Sequence, residues 1–437
     1  MIDNKNMFLA VVLSILILVG FELYFSKNRP APPEEQAQSE QVQPKPGQAT
    51  PGQATPGIPK APSNQPSPSQ QDISVPTAPG LSTAAKESSR SALLKNGDRV
   101  KINTPRLHGS IALTGGRMDD LTLADYRKTL EPDSNEIVLL IPKGAEDAYF
   151  AEFGWVPGGG QTVPTADTGW KADGQTLAQE TPVTLTWDNA KGLKFSRTIA
   201  IDDKYMFTIT QTVKNAGDSA ATLFPYGLIS RRSTPEVSGF YLIHEGMMGV
   251  ANETLKEIDY DDLKEQGQVK DTATGGWVGI TDKYWLTALV PDQKAQVNTR
   301  FLYRRDNGDD LYQADYLSAA VTIAPGQTVQ SENRLFAGAK EVTTMDAYNE
   351  TLGIDRFDLT IDFGWFYFLT KPIFYALLYI NNIVMNFGVS IILLTMAIKL
   401  VFFPLANKSY TSMSKMKKLT PQMTKLRERF ADDKTRL

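Results

Sequence analysis

Apolar residues fall along this chain in three distinct patterns. Two unbroken apolar stretches, 7–25 and 387–405, are each nineteen residues long and hold one charge apiece, Glu22 and Lys399. A helix of that length crosses a hydrocarbon core of about 30 Å. Between them, residues 97–342 alternate apolar and polar positions in short runs. The clearest pair is Leu193–Ile201, the turn Asp202-Asp203-Lys204, and 205–213. Phe195, Ile199 and Ile201 share one face, and Tyr205, Phe207, Ile209 and Val213 share a face of the partner, which is a hairpin signature. Further runs at 183–187 and Val321–Ile323 extend the pattern, so it predicts a large antiparallel sandwich, with helix only near 342–352. The third pattern is helical: Met413, Met416, Leu419, Met423, Leu426 and Phe430 recur three or four residues apart, a single apolar stripe.

Residues 365–380, WFYFLTKPIFYALLYI, are aromatic and apolar, but Lys371–Pro372 interrupts them and Asn381–Asn382 closes them. The run is short for a span, and Trp and Tyr favour the headgroup level. An interfacial helix over 363–382 is expected, presenting Trp365, Phe366, Tyr367, Phe374, Tyr375 and Tyr379. Residues 26–96 are rich in Pro, Gln and Ser and carry the duplication PGQATPGQATPG at 46–57. Such a segment buries too little apolar area to offset its ordering entropy, and a disordered linker is expected.

Charge sets the orientation. Nine Lys/Arg against three acids lie between 408 and 437, and the positive-inside rule places that segment in the cytoplasm. With spans at 7–25 and 387–405, both ends of the chain are cytoplasmic and the sandwich lies on the far side. The first span is membrane-length without a cleavage-site pattern, so it reads as an uncleaved anchor. Glu22 sits near its end, at interfacial depth. The net charge of −4 excludes a strongly basic nucleic-acid binder, and zero cysteines exclude disulfides, thiolate catalysis and Cys-based zinc sites.

Candidate chemistry is sparse in the sandwich. His108 and His244 stand in no ligand spacing. The pairs Asp119–Asp120, Asp261–Asp262 and Asp309–Asp310 sit in turn-like contexts and read as solvated loop carboxylates. The run Val156-Pro157-Gly158-Gly159-Gly160 lacks the strand–helix context of a phosphate cradle. Lys399 is the informative group. An ammonium inside a membrane helix costs roughly 2.5–3.5 kcal/mol on insertion scales and marks a functional site by default. The alternative is that its stem snorkels to the cytoplasmic headgroups. Thr395 shares its helix face, four residues earlier. Pro404 is expected to end or kink this helix, and Pro421 to bend the next.

The order of these features, with MIDNKN before the first span, FGWFYFLTKPIF at 363–374, NFGVSIILLTMAIKLVFFPL at 386–405 and YTSMSKMKKLTPQMTKLRERFADDKTRL at 410–437, resembles the YidC membrane protein insertases of Gram-negative bacteria, within the wider YidC/Oxa/Alb family. The resemblance implies a periplasmic β-supersandwich and an amphipathic helix on the periplasmic side. It also implies a cytoplasmic helical hairpin beginning near 410. Members carry a positive residue, commonly arginine, in a water-filled intramembrane groove, and Lys399 occupies that position in AIKLVFFPL. This favours the groove over snorkelling, although lysine lacks arginine's planar five-donor fork. Members also continue through further membrane helices, so a chain stopping at Leu437 is expected to be truncated after the first hairpin helix.

The expected organisation is therefore a cytoplasmic 1–6, a span at 7–25, a linker over 26–96, a sandwich over 97–342 and a connecting segment over 343–362. An interfacial helix at 363–382, a span at 386–405 and the start of the hairpin at 406–437 follow. The expected function is insertion and folding of inner-membrane proteins, alone or with the Sec translocon and SecDF, without bond-breaking chemistry, cofactor, metal or specific nucleic-acid site. Lys399 and Thr395 would face substrate in the groove. Met413, Met416, Lys417, Lys418, Met423 and Arg427 would meet nascent chain or ribosome, and the lipid bilayer is the remaining partner. A membrane-tethered periplasmic carbohydrate-binding or sugar-modifying protein is the main rival reading, and an anchor without insertase activity the third.

Overall fold

The computed structural model describes residues 73–78, 89–131, 133–237, 243–364 and 366–429, all in the second of two compact units, Ser69–Leu437. The expected span at 7–25 and most of the linker lie outside the described residues.

Two sheets form the sandwich. The path of the larger runs Gln268–Thr274, Gln296–Asp306, Asp309–Ser318, Ala221–Arg232, Tyr149–Pro157, Arg117–Arg127, Leu107–Ala112, Arg99–Asn103, Thr176–Leu177. Glu136–Leu140 and Val321–Ile323 pair beside that path, making eleven strands. The nine-stranded sheet runs Thr254–Asp259, Gly246–Ala251, Trp277–Thr281, Trp285–Val290, Thr328–Ala339, Met206–Asn215, Leu193–Ile201, Val183–Asp188, Lys171–Ala172. Neighbours pair antiparallel except Arg99–Asn103 with Thr176–Leu177.

The hairpin legible in the sequence is present, with Phe207 opposite Ile201 and Val213 opposite Phe195. Its turn is locked by Asp202, whose Oδ1 accepts from the amides of Lys204 at 2.9 Å and Met206 at 3.0 Å. Side chains at period two from both sheets meet in one continuous core, with Trp277, Tyr205, Phe195, Phe207 and Phe336 fully buried. Each such side chain contributes roughly 1.5–3 kcal/mol. One member of the buried row is not apolar. Arg197 lies between Phe195 and Ile199, 2% exposed. Its guanidinium donates to the carbonyls of Gly116 and Phe153 and stacks on the Trp170 ring. Burial pushes it down to about 10.

Several expectations need correction. Asp119 and Asp120 are not solvated loop carboxylates. Both are buried in Arg117–Arg127, paired with Arg99 and Arg90, and burial raises Asp119 despite Arg99. Arg90 belongs to a short helix α1, Arg90–Leu93, at the end of the expected linker. Asp261 and Asp262 open a helix α2, Tyr260–Gln266, which buries Tyr260 and Leu263 and stops at Gly267, φ 71°. Acidic residues in a first turn complement the helix dipole. Asp309 and Asp310 begin a strand, bonded to Arg232 and to Tyr303. Linker residues 73–78 are docked, with Val75 and Ala78 buried on the larger sheet.

The core also runs past residue 342. Helix α3, Val342–Thr351, buries Met345 and Tyr348. Beyond it Ile354 and Phe357 are buried, and the Phe357 ring meets Trp277 at 5.4 Å and Phe336 at 5.6 Å. The expected connecting segment is thus partly sandwich core.

Candidate functional site: the C-terminal helices and their clamp

Beyond the sandwich come two long helices, α4, Tyr367–Val384, and α5, Phe387–Arg429. Met385 and Asn386 join them. Met385 takes φ 52°, an uncommon conformation for a side chain of that size. Asn386 caps α5: its Oδ1 accepts from the Val389 amide at 3.1 Å. Its carbonyl accepts from the amide and hydroxyl of Ser390, which is buried. The two helices pack side by side from this turn.

Lys371 and Pro372 do not interrupt α4, which runs through both. Lys371 is a clamp. Its ammonium donates to Asp346 of α3 at 2.9 Å and to Asp358 at 3.2 Å. Burial works to lower its pKa, but these two bonds prevail and leave it raised. The Tyr375 hydroxyl, one turn on, also bonds Asp346, and burial with that bond pushes it up to about 12. α3 is held to the sandwich in turn. Glu341, at its N-terminus, accepts from Arg106, from Tyr126 at 3.1 Å and from Thr344 at 2.9 Å. Burial opposes ionisation of Glu341, and these donors nevertheless hold it below the usual carboxylate range. The Tyr348 hydroxyl donates to Asp202 at 2.5 Å. A chain of polar contacts therefore runs from the sandwich to α4. The sequence signal for it is the cation at 371 in an apolar run, which needs a partner.

Of the residues read as interfacial, Phe366, Tyr367, Tyr375 and Tyr379 are exposed. Phe374 is half-buried against Phe363, ring centroids 5.9 Å apart. Trp365 lies outside the described residues.

α5 is 43 residues long, roughly 65 Å at 1.5 Å per residue, about twice a hydrocarbon core. Among the described residues it is the one helix long and apolar enough to cross a membrane. Pro404 does not end it, nor does Pro421. Each proline lacks the amide hydrogen that would bond the carbonyl four residues back. Lys399 lies about 18 Å along α5 from Phe387, exposed among Met396, Leu400, Phe402 and Phe403. Thr395 is on the same face, and its hydroxyl donates to the Ile391 carbonyl at 2.7 Å. Only its acceptor lone pairs remain for a ligand. Further along, Met413, Met416 and Met423 are exposed with Leu419, flanked by exposed Lys417 and Lys418. Arg427 lies in the last described turn, its side chain outside the described residues.

The two histidines are kept apart by the fold. His108 bonds Glu136 at 3.0 Å, and His244 contacts Asp259 at 3.1 Å. Among the described residues no group of three or more His, Asp or Glu could hold a metal ion.

A β-sandwich clamped to an aromatic helix, which turns into a helix long and apolar enough to cross a membrane with a cationic continuation, fits the class of membrane proteins with a large domain outside the bilayer. Two family models match the chain: "YidC periplasmic domain" over residues 99–376 and "60Kd inner membrane protein" over 379–437. Proteins named "Membrane protein insertase YidC" match along the whole chain. That of Methylobacterium radiotolerans is 46% identical over 99% of this chain and 70% of its own length. Those of Bradyrhizobium diazoefficiens and Nitrobacter hamburgensis are 44% and 47% identical, over 100% of this chain and 71% and 70% of theirs. The chain belongs to the YidC family of membrane protein insertases, as its motifs indicated. Among solved structures, a galactose mutarotase-like protein from Lactobacillus casei aligns at TM-score 0.37 and 11% identity, over 55% of this chain and 99% of that one. That likeness is too distant to carry an argument about carbohydrate.

Proposed function

We propose that this chain, a membrane protein insertase by family, works through the face of α5 that carries Thr395 and Lys399. In this reading α5 crosses the inner membrane over its apolar first half, and 7–25 forms a second span. Both ends of the chain lie in the cytoplasm and the sandwich in the periplasm. The Thr395–Lys399 face lines a hydrophilic groove that admits polar segments of nascent inner-membrane proteins part-way into the bilayer. That lowers the desolvation cost of moving charges, while apolar segments leave sideways into lipid. The Met stripe with Lys417, Lys418 and Arg427 receives nascent chain or ribosome, since flexible thioethers adapt to varied apolar partners. The Sec translocon and SecDF are proposed as cooperating partners. In this reading the chain acts without bond-breaking chemistry.

The observation that supports this most is Lys399, exposed on an apolar stretch of helix. The test is complementation of insertase-depleted cells. Lys399→Arg keeps charge and reach and should insert normally. Lys399→Leu should slow insertion of substrates with acidic exported segments at least threefold, about 0.7 kcal/mol or more, at normal protein levels. Equal rates for Lys399→Leu and wild type, across several acidic substrates, would mean that the lysine only snorkels.

A further inference from the structure

Among the described residues from 97 to 362, three large apolar side chains are exposed, Leu130, Val237 and Tyr284. Single exposed apolar residues are ordinary. Leu130 and Tyr284, however, stand at the same end of the sandwich, each on a turn. The strand Arg117–Arg127 leads into a hairpin whose Lys128 amide donates to the Asn135 carbonyl at 3.0 Å, and Leu130 is fully exposed beyond that pair. The second turn joins Trp277–Thr281 to Trp285–Val290, with the Asp282 amide donating to the Trp285 carbonyl across it at 2.9 Å. Tyr284 in this turn is 59% exposed, and the Lys283 ammonium lies 5.2 Å from its ring centroid. Three rings link the two turns: Tyr284 meets Trp285 at 6.0 Å and Trp285 meets Tyr126 at 5.0 Å, both edge-on.

This is also the end from which α4 departs. The Lys340 amide donates to the Tyr284 carbonyl at 2.9 Å, and the Tyr126 hydroxyl bonds Glu341 at the start of α3. Asp362 lies close enough to Lys340 to pull on its charge. Five residues later α4 begins at Tyr367, between exposed Phe366 and Phe368. The two exposed turns and the aromatic start of α4 therefore share one end of the sandwich. Charges there are mixed. Lys283 stands beside Tyr284, while Asp282 is bonded to Arg231 at 2.6 Å and Glu245 accepts from the Lys283 amide at 3.1 Å. Lys128 precedes Leu130, and Glu131 and Asp133 follow it. That balance suits a zwitterionic surface better than a strongly anionic one. An apolar tip with a lysine beside it sits at headgroup level, its apolar part at the acyl boundary and its ammonium among phosphates.

We propose that the turns carrying Leu130 and Tyr284 are membrane-contact points of the sandwich, seated at the headgroup–acyl boundary of the lipid bilayer beside α4. The proposal rests on the reading that α4 lies in the interface and α5 crosses. A sandwich clamped to one interfacial helix can still roll about that helix. Two further contacts stop the roll and fix the tilt of the sandwich over the bilayer.

The chain has no cysteine, so single-cysteine variants of the whole protein in phosphatidylcholine nanodiscs report one position each. Thr129→Cys and Tyr284→Cys, carrying a fluorophore, report the two turns. Tyr379→Cys, exposed on α4, is the reference, and Asp218→Cys, just past the opposite end of the strand Met206–Asn215, is the baseline. Lipid with a nitroxide at the top of its acyl chain should quench the labels at 129 and 284 at least twofold more than the label at 218, as it should at 379. Leu130→Asp with Tyr284→Asp, added to Thr129→Cys, should return quenching at 129 to the level at 218. The melting temperature should be retained, because both side chains are exposed; should the double variant fail to fold, Leu130→Asp alone decides on the same reading. Quenching at 379 without quenching at both turns overturns the proposal and leaves the interfacial reading of α4 standing. No quenching at 379 or at the turns overturns both. Quenching at the turns without quenching at 379 upholds the contact and removes α4 from the interface. Quenching at 129 that survives the aspartates means that the label itself seeks lipid, which also overturns the proposal.

Discussion

Lys340 follows the strand Thr328–Ala339, its ammonium donating to the Thr281 hydroxyl at 2.9 Å. Burial dominates its electrostatics and brings its pKa from 10.5 down to about 8, against the pull of Asp282, Glu245, Glu257 and Asp362. The sign of the linkage follows. A base whose folded pKa lies below its unfolded value binds more protons in the unfolded chain between the two, so stability rises with pH across that window. The gain should be visible from pH 8 to about 10. Above that, buried tyrosines such as Tyr149 and Tyr226, raised far beyond their ordinary value chiefly by burial, reverse the slope as the unfolded chain loses phenolic protons first. Urea midpoints of wild type and Lys340→Met, measured over this range, isolate the effect: wild type should gain relative to the variant. Parallel curves would show that Lys340 titrates normally.

At the scale of elements, α3 is the plate between the sandwich and α4. Its position rests on Glu341 and Tyr348, and its grip on α4 rests on Asp346 with Asp358. Lys371→Met leaves those two carboxylates without their shared cation, while the sandwich core, built on Trp277, Phe336 and Phe357, keeps its contacts. The expected outcome is an unchanged melting temperature for the sandwich and a broadened distance distribution between spin labels at Asp218 and Ile383. A distribution as narrow as that of wild type would mean that the clamp contributes no rigidity. This coupling was only half legible in the sequence. The hairpin at 193–213 could be read because period-two alternation is a local signal, and α5 because an apolar run of nineteen residues is too long for a buried strand. Asp119, Asp120 and Arg197 could not be placed. Their burial depends on partners from other strands, and a charged residue in a strand reads as solvent-facing until its partner is known. The docking of 73–78 was hidden for a related reason: the segment's composition is that of its linker, and its partners Arg300 and Gln313 lie more than two hundred residues away.

At the scale of the whole molecule, the clamp and the two-residue turn at Met385-Asn386 make the sandwich, α4 and α5 a continuous series of packed elements. The sandwich is thus not loosely hung on its C-terminal side, whatever the linker allows at the other. If α4 lies flat in the interface and α5 crosses, the sandwich is fixed near the bilayer on one face and the cationic end of α5 emerges on the other. Topology is then a testable consequence of charge, because nine basic residues follow Leu405 and cationic segments stay in the cytoplasm. Two single-cysteine variants, Asp218→Cys in an exposed turn and Lys418→Cys on the exposed surface of α5, can be probed in spheroplasts with a membrane-impermeant maleimide. The thiol at position 218 should label at once. The thiol at position 418 should label only after the membrane is permeabilised. Immediate labelling at 418 would require another span between the sandwich and the tail, and α4 is the one remaining helix long enough among the described residues. Such a result would turn α4 from an interfacial helix into a membrane-crossing one, place the Met stripe in the periplasm, and remove the basis for a cytoplasmic nascent-chain contact there.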